Sequence, residues 1–549
     1  MRSGYTPHSG HSTTRPGSGT VTSLNVAMLL FLTGMVALWT LATALSHTAP
    51  DLDGMEELVW ASSLELGYHK HPPLPSWIMH GLVQVFGREV WVTFFAGQLM
   101  SALALWFLWL FGKEITTPRT AFIAVLIGST SLYFSLRGTI FNHNTAQLWS
   151  ITASIWLFYR AMRYEQVRDW VWLGVVGGLA TLTKYSAVIQ FFAFFMFVVA
   201  ERRLTDRSTL RGIGWAALAY GLTLLPHLAW LVSTQFLPFR YVDDALDTPT
   251  RLQALNLLLK FTLDQLARLS PMLIVWLGWW FWARRHPEDN LITADTPSLG
   301  TRLRPADKKF LLWVGLTPFL ATALISAVLG TRLVASWGTT FFVLYSFFWL
   351  WALRGNPETI GKRILVLVVG VHLIMALGYA VARGPLAWAT GRDSRSTFPG
   401  PDIAAVMNTI WKQHVPDVPL RLVASDTWLG GNIALHTGPQ TQVFINGSYV
   451  ESPWLNPDTA QDCGVLTVYS ITSKRPPQPG TLRLMNEGTW SGVEHVRWSS
   501  EKSPLLDLNW SIKPPNERCA LKEIPAVIDL RQTPQTHPAD AGQESQETP

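Results

Sequence analysis

One short stretch of the sequence concentrates acidic and basic side chains. It runs Asp51-Leu-Asp53-Gly-Met-Glu56-Glu57-Leu-Val-Trp60, then Gly67-Tyr68-His69-Lys70-His71-Pro72-Pro73-Leu74. Four carboxylates stand within one or two helical turns, and a basic segment stiffened by Pro-Pro follows; proline fixes the backbone and removes a donor. Carboxylates with cations a short loop away suit a displacement reaction, in which an acid takes a proton from a nucleophile while the cations hold a departing anion such as phosphate. The plain alternative is a solvated helix start, where Asp and Glu are favoured by the helix dipole.

The elements that must position these residues are set by composition. Of 549 residues, 48% are hydrophobic and only 15% charged, against about 25% charged in soluble proteins. Such a chain cannot cover a water-facing surface with polar groups, so lipid must solvate most of it. A bilayer core of about 30 Å takes about 20 uncharged residues per helix. Eleven stretches free of Asp, Glu, Lys and Arg are candidates: Leu24–Leu45, Trp91–Gly112, Ala121–Leu136, Thr145–Tyr159, Trp170–Thr183, Tyr185–Ala200, Gly212–Val232, Leu269–Ala283, Phe310–Gly330, Leu333–Leu353 and Ile364–Ala382. The first exceeds a signal-peptide core and has no small-residue cleavage pattern after it, so it is expected to be a retained span.

Lys and Arg set the orientation. With the N-terminus inside, the cytoplasmic loops hold Lys113 and Arg119; Arg160, Arg163 and Arg168; Arg202, Arg203, Arg207 and Arg211; Arg284, Arg285, Arg302, Arg304, Lys308 and Lys309; and Arg354, Lys362 and Arg363. An odd number of spans then puts the C-terminus outside. Four cations break the pattern. Lys70 lies in the first outer loop, Arg137 just before Asn142-His-Asn144, Lys184 in a tight turn between two short spans, and Arg332 between two apolar stretches. Charges at membrane depth are expensive and usually functional. Together the four form a candidate site for a lipid-linked phosphate, the alternative for each alone being interfacial snorkelling. His69 and His71 with Glu56 or Glu57 offer a weak zinc reading, but a phosphate hydrogen bond explains the histidines equally; the sequence fixes no cofactor, and a divalent metal stays open. Gly177-Gly178 sits in an apolar helix and points to close helix packing. No P-loop, Walker acid, HExxH or GxSxG pattern is present, and the modest net charge of +6 says little for nucleic acid.

The expected organisation is a disordered polar tail (1–20), a transmembrane module (21–385) with outer loops 47–90 and 233–268, an outer α/β domain (395–530) and a disordered tail (531–549). In the second loop Leu252, Leu255, Leu259, Leu263 and Leu266 recur at helical spacing, as in a helix lying on the bilayer or packed on the protein's own outer loops. In the C-terminal region Leu420–Ser425, Gln442–Ile445 and Gly464–Tyr469 read as strands and Trp428–His436 as a helix, which argues for a small α/β domain. Its Cys463 and Cys519 are either disulfide-bonded, as an oxidising compartment allows, or two separate thiols.

The acidic cluster followed by Gly67-Tyr-His-Lys-His-Pro-Pro-Leu74 resembles the bacterial branch of glycosyltransferase family 39, related to the protein O-mannosyltransferases and the lipid A aminoarabinose transferase, which share the GT-C membrane fold. The resemblance extends through Phe141-Asn-His-Asn144-Thr145, Gly178-Leu-Ala-Thr-Leu-Thr-Lys184-Tyr185, Arg332 with Ser336-Trp337-Gly338, Ser425-Asp-Thr-Trp-Leu-Gly-Gly-Asn432-Ile-Ala-Leu435 and Ser452-Pro-Trp-Leu455. It implies a polytopic α-helical protein of about 11 transmembrane helices with a C-terminal periplasmic α/β domain, in a bacterial inner membrane. It also implies transfer of a sugar from a polyprenyl-phosphate donor to a lipid, glycan or protein acceptor at the periplasmic face, with inversion. By spacing to Gly67-Tyr68 the family's catalytic acid falls on Asp53, with Asp51 as fallback. Many relatives have Asp followed directly by Glu, whereas Gly54 follows here, so the second acid falls on Glu56 or Glu57. Where the aminoarabinose transferase carries Glu-Lys before the prolines, this chain has Lys70-His71, which favours phosphate binding over zinc. The expected donor-phosphate set is Lys70, His71, Lys184, Arg332 and Arg137. A transporter or flippase of a lipid-linked or anionic substrate is the other class considered; it would place charges near the midplane and show paired repeats, and the sequence shows neither.

Overall fold

Long runs without charge become helices, and local capping decides where each begins. The computed structural model describes residues 18–239, 250–285, 298–458, 460–473 and 476–519. The expected tails at 1–17 and 531–549, and residues 240–249 of the second outer loop, lie outside them. Helix α1 (Ser18–Ala44) already includes the last residues of the expected N-terminal tail. It is followed by α2 (Leu52–Trp60), α3 (Leu74–Phe86), α4 (Val90–Ile115), α5 (Pro118–Ser129), the single turn α6 (His143–Ala146), α7 (Leu148–Tyr164), α8 (Val167–Thr183), α9 (Ala187–Ala200) and α10 (Arg207–Ser233). Next come α11 (Arg251–Arg285), α12 (Pro305–Leu329), α13 (Tyr345–Phe348) and α14 (Pro357–Arg383). The start of α5 shows the local logic: the Thr117 hydroxyl accepts from Thr120 N, and Pro118 occupies the first turn, where no partner for an N–H is required.

Five helices among the described residues are long and apolar enough to cross a membrane: Thr22–Ala44, Val90–Ile115, Arg207–Ser233, Pro305–Leu329 and the 357–390 stretch. The shorter apolar helices α5 and α9 pack with them around one large core that includes Trp39, Leu105, Trp109, Phe111, Phe310 and Phe347. At Gly178, a Cβ would come within 2.7 Å of the Thr223 side chain, so this glycine lets α8 approach α10 closely.

Two expected features take a different form. Leu333–Leu353 is not one helix but a chain of short turns, with 3₁₀ turns at Ala335–Gly338 and Trp349–Trp351 on either side of α13. A Cβ on Gly338 would meet the Gln265 side-chain oxygen at 2.6 Å, and Phe341 to Leu344 are buried. The backbone is satisfied locally, as in Thr339 N to Ser336 O and Phe341 N to Gly338 O. Non-helical backbone at membrane depth is tolerated where protein buries it. The leucine-rich segment of the second loop is not a separate surface helix; it continues the Leu269–Ala283 span as one 35-residue helix, α11. Leu252, Leu255, Leu259, Leu263 and Leu266 are all exposed on it, so they do not pack on the outer loops.

The C-terminal part opens with α15 (Pro385–Thr390) and α16 (Gly400–His414). It then forms β1 (Leu422–Ser425), α17 (Thr427–Thr437), β2 (Gln442–Ile445), β3 (Val465–Ser470), α18 (Pro479–Asn486), β4 (Trp490–Arg497) and β5 (Leu505–Lys513). The sheet order is β2-β1-β3-β5-β4, with β1 parallel to β2 and β3, and β5 antiparallel to β3 and β4. All four residues of β1 are buried, as expected of a parallel strand covered on both faces. The three strands and one helix expected here form within one or two residues of their sequence limits. Strands β4 and β5 and helix α16 are not evident in the sequence, and β4 in particular is largely exposed and carries no clean apolar alternation. Cys463 and Cys519 are disulfide-bonded and tie the start of β3 to the chain beyond β5.

Candidate functional site

Helix α2 builds the centre of the site. Asp53, Glu56 and Glu57 lie three and four residues apart and so share one helix face. Asp51 is the N-cap, its Oδ1 accepting from Leu52 N at 2.8 Å and from Arg395 Nη1 at 3.0 Å. The fallback acid is therefore occupied as a cap and an ion-pair partner.

Asp53 is reachable by solvent. Protein walls it on most sides, and this crowding pushes its carboxyl above the ordinary carboxylate range. A hydrogen bond from Asn142 Nδ2, at 3.0 Å, and the charges of Lys70 and Arg395 pull the other way. Asn142 is itself fixed by its fold: its Oδ1 caps the turn α6, accepting from Asn144 N at 2.9 Å and Thr145 N at 3.0 Å. One side chain thus starts a helix and holds the candidate base.

Lys70 Nζ donates to Glu56 Oε1 at 2.6 Å. Burial raises the Glu56 carboxyl, and Lys70 opposes that. Glu57 is only 1% exposed. It accepts from Ser76 Oγ at 2.7 Å and lies 3.2 Å from His143 Nδ1, and burial drives its carboxyl well above the ordinary range. Trp60 orders the following loop: Tyr68 stacks on it at 4.5 Å and donates its hydroxyl to Trp60 O at 3.0 Å. His69, His71 and His143 gather around the same indole.

Lys184 follows α8 in the turn before α9. Gln147 Nε2 shapes that turn by donating to Ala180 O at 3.0 Å and Lys184 O at 2.8 Å. Lys184 Nζ donates to Asn144 Oδ1 at 2.5 Å and faces the Trp337 ring at 5.7 Å. Burial lowers this amine to about 8, and the charge of Asp53 opposes the fall.

The structure therefore brings together Asp53, Glu56, Glu57, Lys70, His71 and Lys184. The His71 ring lies tilted against that of His143, with centroids 3.8 Å apart, and burial first, then the charges of His143, Lys184 and Lys70, hold it well below its usual pKa. This favours the neutral imidazole, which can donate a hydrogen bond to a phosphate. Arg332 is exposed and makes no hydrogen bond or ion pair to the cluster among the described residues. Arg137 stands instead beside Arg268, close enough for their charges to interact. Arg268 is 8% exposed and faces the Tyr133 ring at 5.9 Å; nothing in the sequence singles it out, since it ends an amphipathic run. Asn142, His143 and Asn144 are visible in the sequence as a polar triplet in an apolar chain and as part of the family resemblance, but neither assigns them a role.

The two histidines of the zinc reading diverge. His69 Nε2 lies 3.9 Å from Glu451 Oε2, whereas His71 turns to His143. Among the described residues no three His, Cys, Asp or Glu side chains converge in a metal-binding arrangement, so the residues present do not fit the zinc reading.

A family model described as dolichyl-phosphate-mannose-protein mannosyltransferase matches residues 70–230. The lipid A galacturonosyltransferase RgtD of Rhizobium johnstonii is 22% identical over 311 residues, 55% of this chain and 60% of that protein. The lipopolysaccharide core galacturonosyltransferase RgtA of the same organism is 23% identical over 218 residues, 38% of this chain and 42% of that protein. This chain thus spans less than two thirds of either relative's length. A crystal structure of ArnT from Cupriavidus metallidurans bound to undecaprenyl phosphate superposes with a TM-score of 0.51 at 14% identity, covering 90% of this chain and 98% of ArnT. The comparisons bear out the resemblance drawn from the sequence: the chain has an ArnT-like GT-C fold, and the relatives it matches are galacturonosyltransferases.

Proposed function

We propose that this protein transfers a sugar from a polyprenyl-phosphate donor to an acceptor at the outer face of a bacterial inner membrane, with inversion. Asp53 takes the proton of an acceptor hydroxyl, and that oxygen attacks the anomeric carbon. The bond from that carbon to the phosphate oxygen breaks, and polyprenyl phosphate leaves as an anion beside Lys70 and Lys184. The leaving group is already an anion, so electrostatic stabilisation by positioned cations should dominate over acid catalysis. His71 serves as a neutral hydrogen-bond donor. Arg137 and Arg332 are flanking cations of the same face, and Glu56 and Glu57 hold Lys70 and His143 in place.

The observation that carries this reading is the accessible Asp53 carboxylate, oriented by Asn142 and within electrostatic reach of both Lys70 and Lys184. ArnT was crystallised with undecaprenyl phosphate, which supports a donor of that class. An apolar cavity of about 370 Å³ between α8, α9 and α10, lined by Trp170, Gly177, Phe194 and Tyr220, suits a prenyl tail. The orientation, with the N-terminus in the cytoplasm and the α/β domain in the periplasm, rests on the distribution of Lys and Arg. The Cys463–Cys519 disulfide agrees with an oxidising compartment for that domain.

The test is release of polyprenyl phosphate from a sugar-loaded polyprenyl-phosphate donor by the purified protein with envelope glycolipid as acceptor. Wild type should release it, and Asp53→Asn should be slower by roughly a thousandfold or more, the scale of a lost general base and its positioning. Near-normal release by a folded Asp53→Asn protein removes Asp53 from the mechanism.

A further inference from the structure

A second cavity, of about 250 Å³, lies beside the candidate base. It opens between the end of α1, the start of α2, residues 139–141, the end of α14 and the segment 392–396. Three guanidiniums line it, from Arg383, Arg392 and Arg395, against two carboxylates, from Asp51 and Asp393. Asp51 is already engaged by Arg395, and Arg383 Nη1 donates to Ser394 Oγ at 3.2 Å. Arg392 is exposed and pairs with no carboxylate among the described residues. The cavity therefore keeps a net positive charge with a guanidinium available to an incoming group.

Its place relative to Asp53 gives it a role. Asp51 and Gly54 line the cavity, whereas Asp53, Glu56 and Glu57 occupy the helix face that meets Lys70 and His143. Ile140 and Phe141 also line the cavity, and the next residue, Asn142, holds Asp53. Asp53 thus stands at the partition between an arginine-lined cavity and the lysine cluster. Displacement with inversion requires nucleophile and leaving group on opposite faces of the anomeric carbon, with the base on the nucleophile's side.

We propose that this cavity binds the anionic group of the acceptor, a phosphate or carboxylate carried by a sugar, and so presents a neighbouring hydroxyl to Asp53. The assignment rests on the transferase reading above and adds the acceptor's chemical class. The arginine fork matches either anion through paired hydrogen bonds, and the volume suits one phosphorylated or acidic sugar unit rather than an extended polymer.

The test measures binding of glucose 6-phosphate, glucuronate and glucose to the purified full-length protein in detergent by calorimetry. The expected result is binding of one or both anions with glucose at least tenfold weaker. The preferred anion identifies the natural group. Arg392→Gln and Arg383→Gln should each weaken anion binding at least tenfold with an unchanged melting temperature. Equal binding of glucose, absence of anion binding, or indifference to both substitutions overturns the proposal. Loss of undecaprenyl phosphate binding in these variants also overturns it, because the cavity would then hold the donor. The two readings fail separately. If Asp53→Asn abolishes transfer while the arginine variants bind anions normally, the transferase stands and the cavity assignment falls. If anion binding responds to the arginines in a protein that transfers no sugar, the transferase reading falls and with it the acceptor role.

Discussion

Asn142 donates its side-chain amide to the Asp53 carboxylate across 3.0 Å, although 89 residues separate the two in sequence. This bond is the largest of the influences that lower the Asp53 carboxyl against the raising effect of its surroundings. Removing it in Asn142→Ala should raise that pKa further and slow transfer by roughly ten- to a hundredfold, the range for a hydrogen bond to a charged group. The acid limb of the rate profile should move to higher pH. Because Asn142 also caps α6, Asn142→Asp is the sharper probe: it keeps the cap oxygen but sets a like charge beside Asp53, so the limb should still move upward. A merely structural residue would lower the rate without moving the limb.

Lys184 carries the other limb. Its amine is lowered to about 8 by burial, so its charge is present below that pH and lost above it. Transfer should therefore fall as pH rises through about 8. Lys184→Arg should keep measurable activity and extend it to higher pH, since the guanidinium stays protonated. Lys184→Met should lose activity at every pH. An unchanged alkaline limb in Lys184→Arg would assign that limb to another group.

Glu57 makes a stability prediction with a definite sign. Burial raises its carboxyl well above the ordinary range, so it binds a proton more tightly folded than unfolded. Its contribution is fully present below the ordinary carboxylate pKa and is lost as pH rises through the folded value. Glu57→Gln should remove that pH dependence and keep an acceptor for Ser76. Glu57→Ala should cost about 1–3 kcal/mol by leaving the buried Ser76 hydroxyl without its acceptor. Thermal melts from below the ordinary carboxylate pKa upward measure both effects.

Arg88 joins the two parts of the protein. Its guanidinium donates to Ala434 O at 2.6 Å, Gly438 O at 2.5 Å and Thr441 O at 2.9 Å, around the end of α17. Helix α17 packs in turn on α2, where a Cβ on Gly431 would fall 2.6 Å from the Met55 side chain. Arg88→Met should cost about 3 kcal/mol through the unsatisfied carbonyls. It should also speed proteolysis within 420–445 in folded protein. Arg88→Lys should rescue little, because an ammonium cannot reproduce the planar fork. Unaltered proteolysis would show that apolar packing alone docks the domain.

Features confined to short windows are legible without any structure. Lack of charge over some 20 residues and the strand-helix-strand pattern after Leu420 are of this kind, and they have their counterparts in the long apolar helices and in β1, α17, β2 and β3. Lys184 stands out for the same reason, since an isolated charge in an apolar chain marks itself; Asp53 and Lys70 lie in one charged stretch, where only the family resemblance picks Asp53 from its neighbours. Contacts between distant segments are another matter. The partner of Asp53 comes from Asn142, and the neutrality of His71 follows from burial against His143. Leu333–Leu353 breaks into turns where Gln265 packs against Gly338. Arg383, Arg392 and Arg395 meet Asp51 only because the segment after the last long helix folds back over the start of α2. Proximity and desolvation are set by the whole chain, and no window of the sequence contains them.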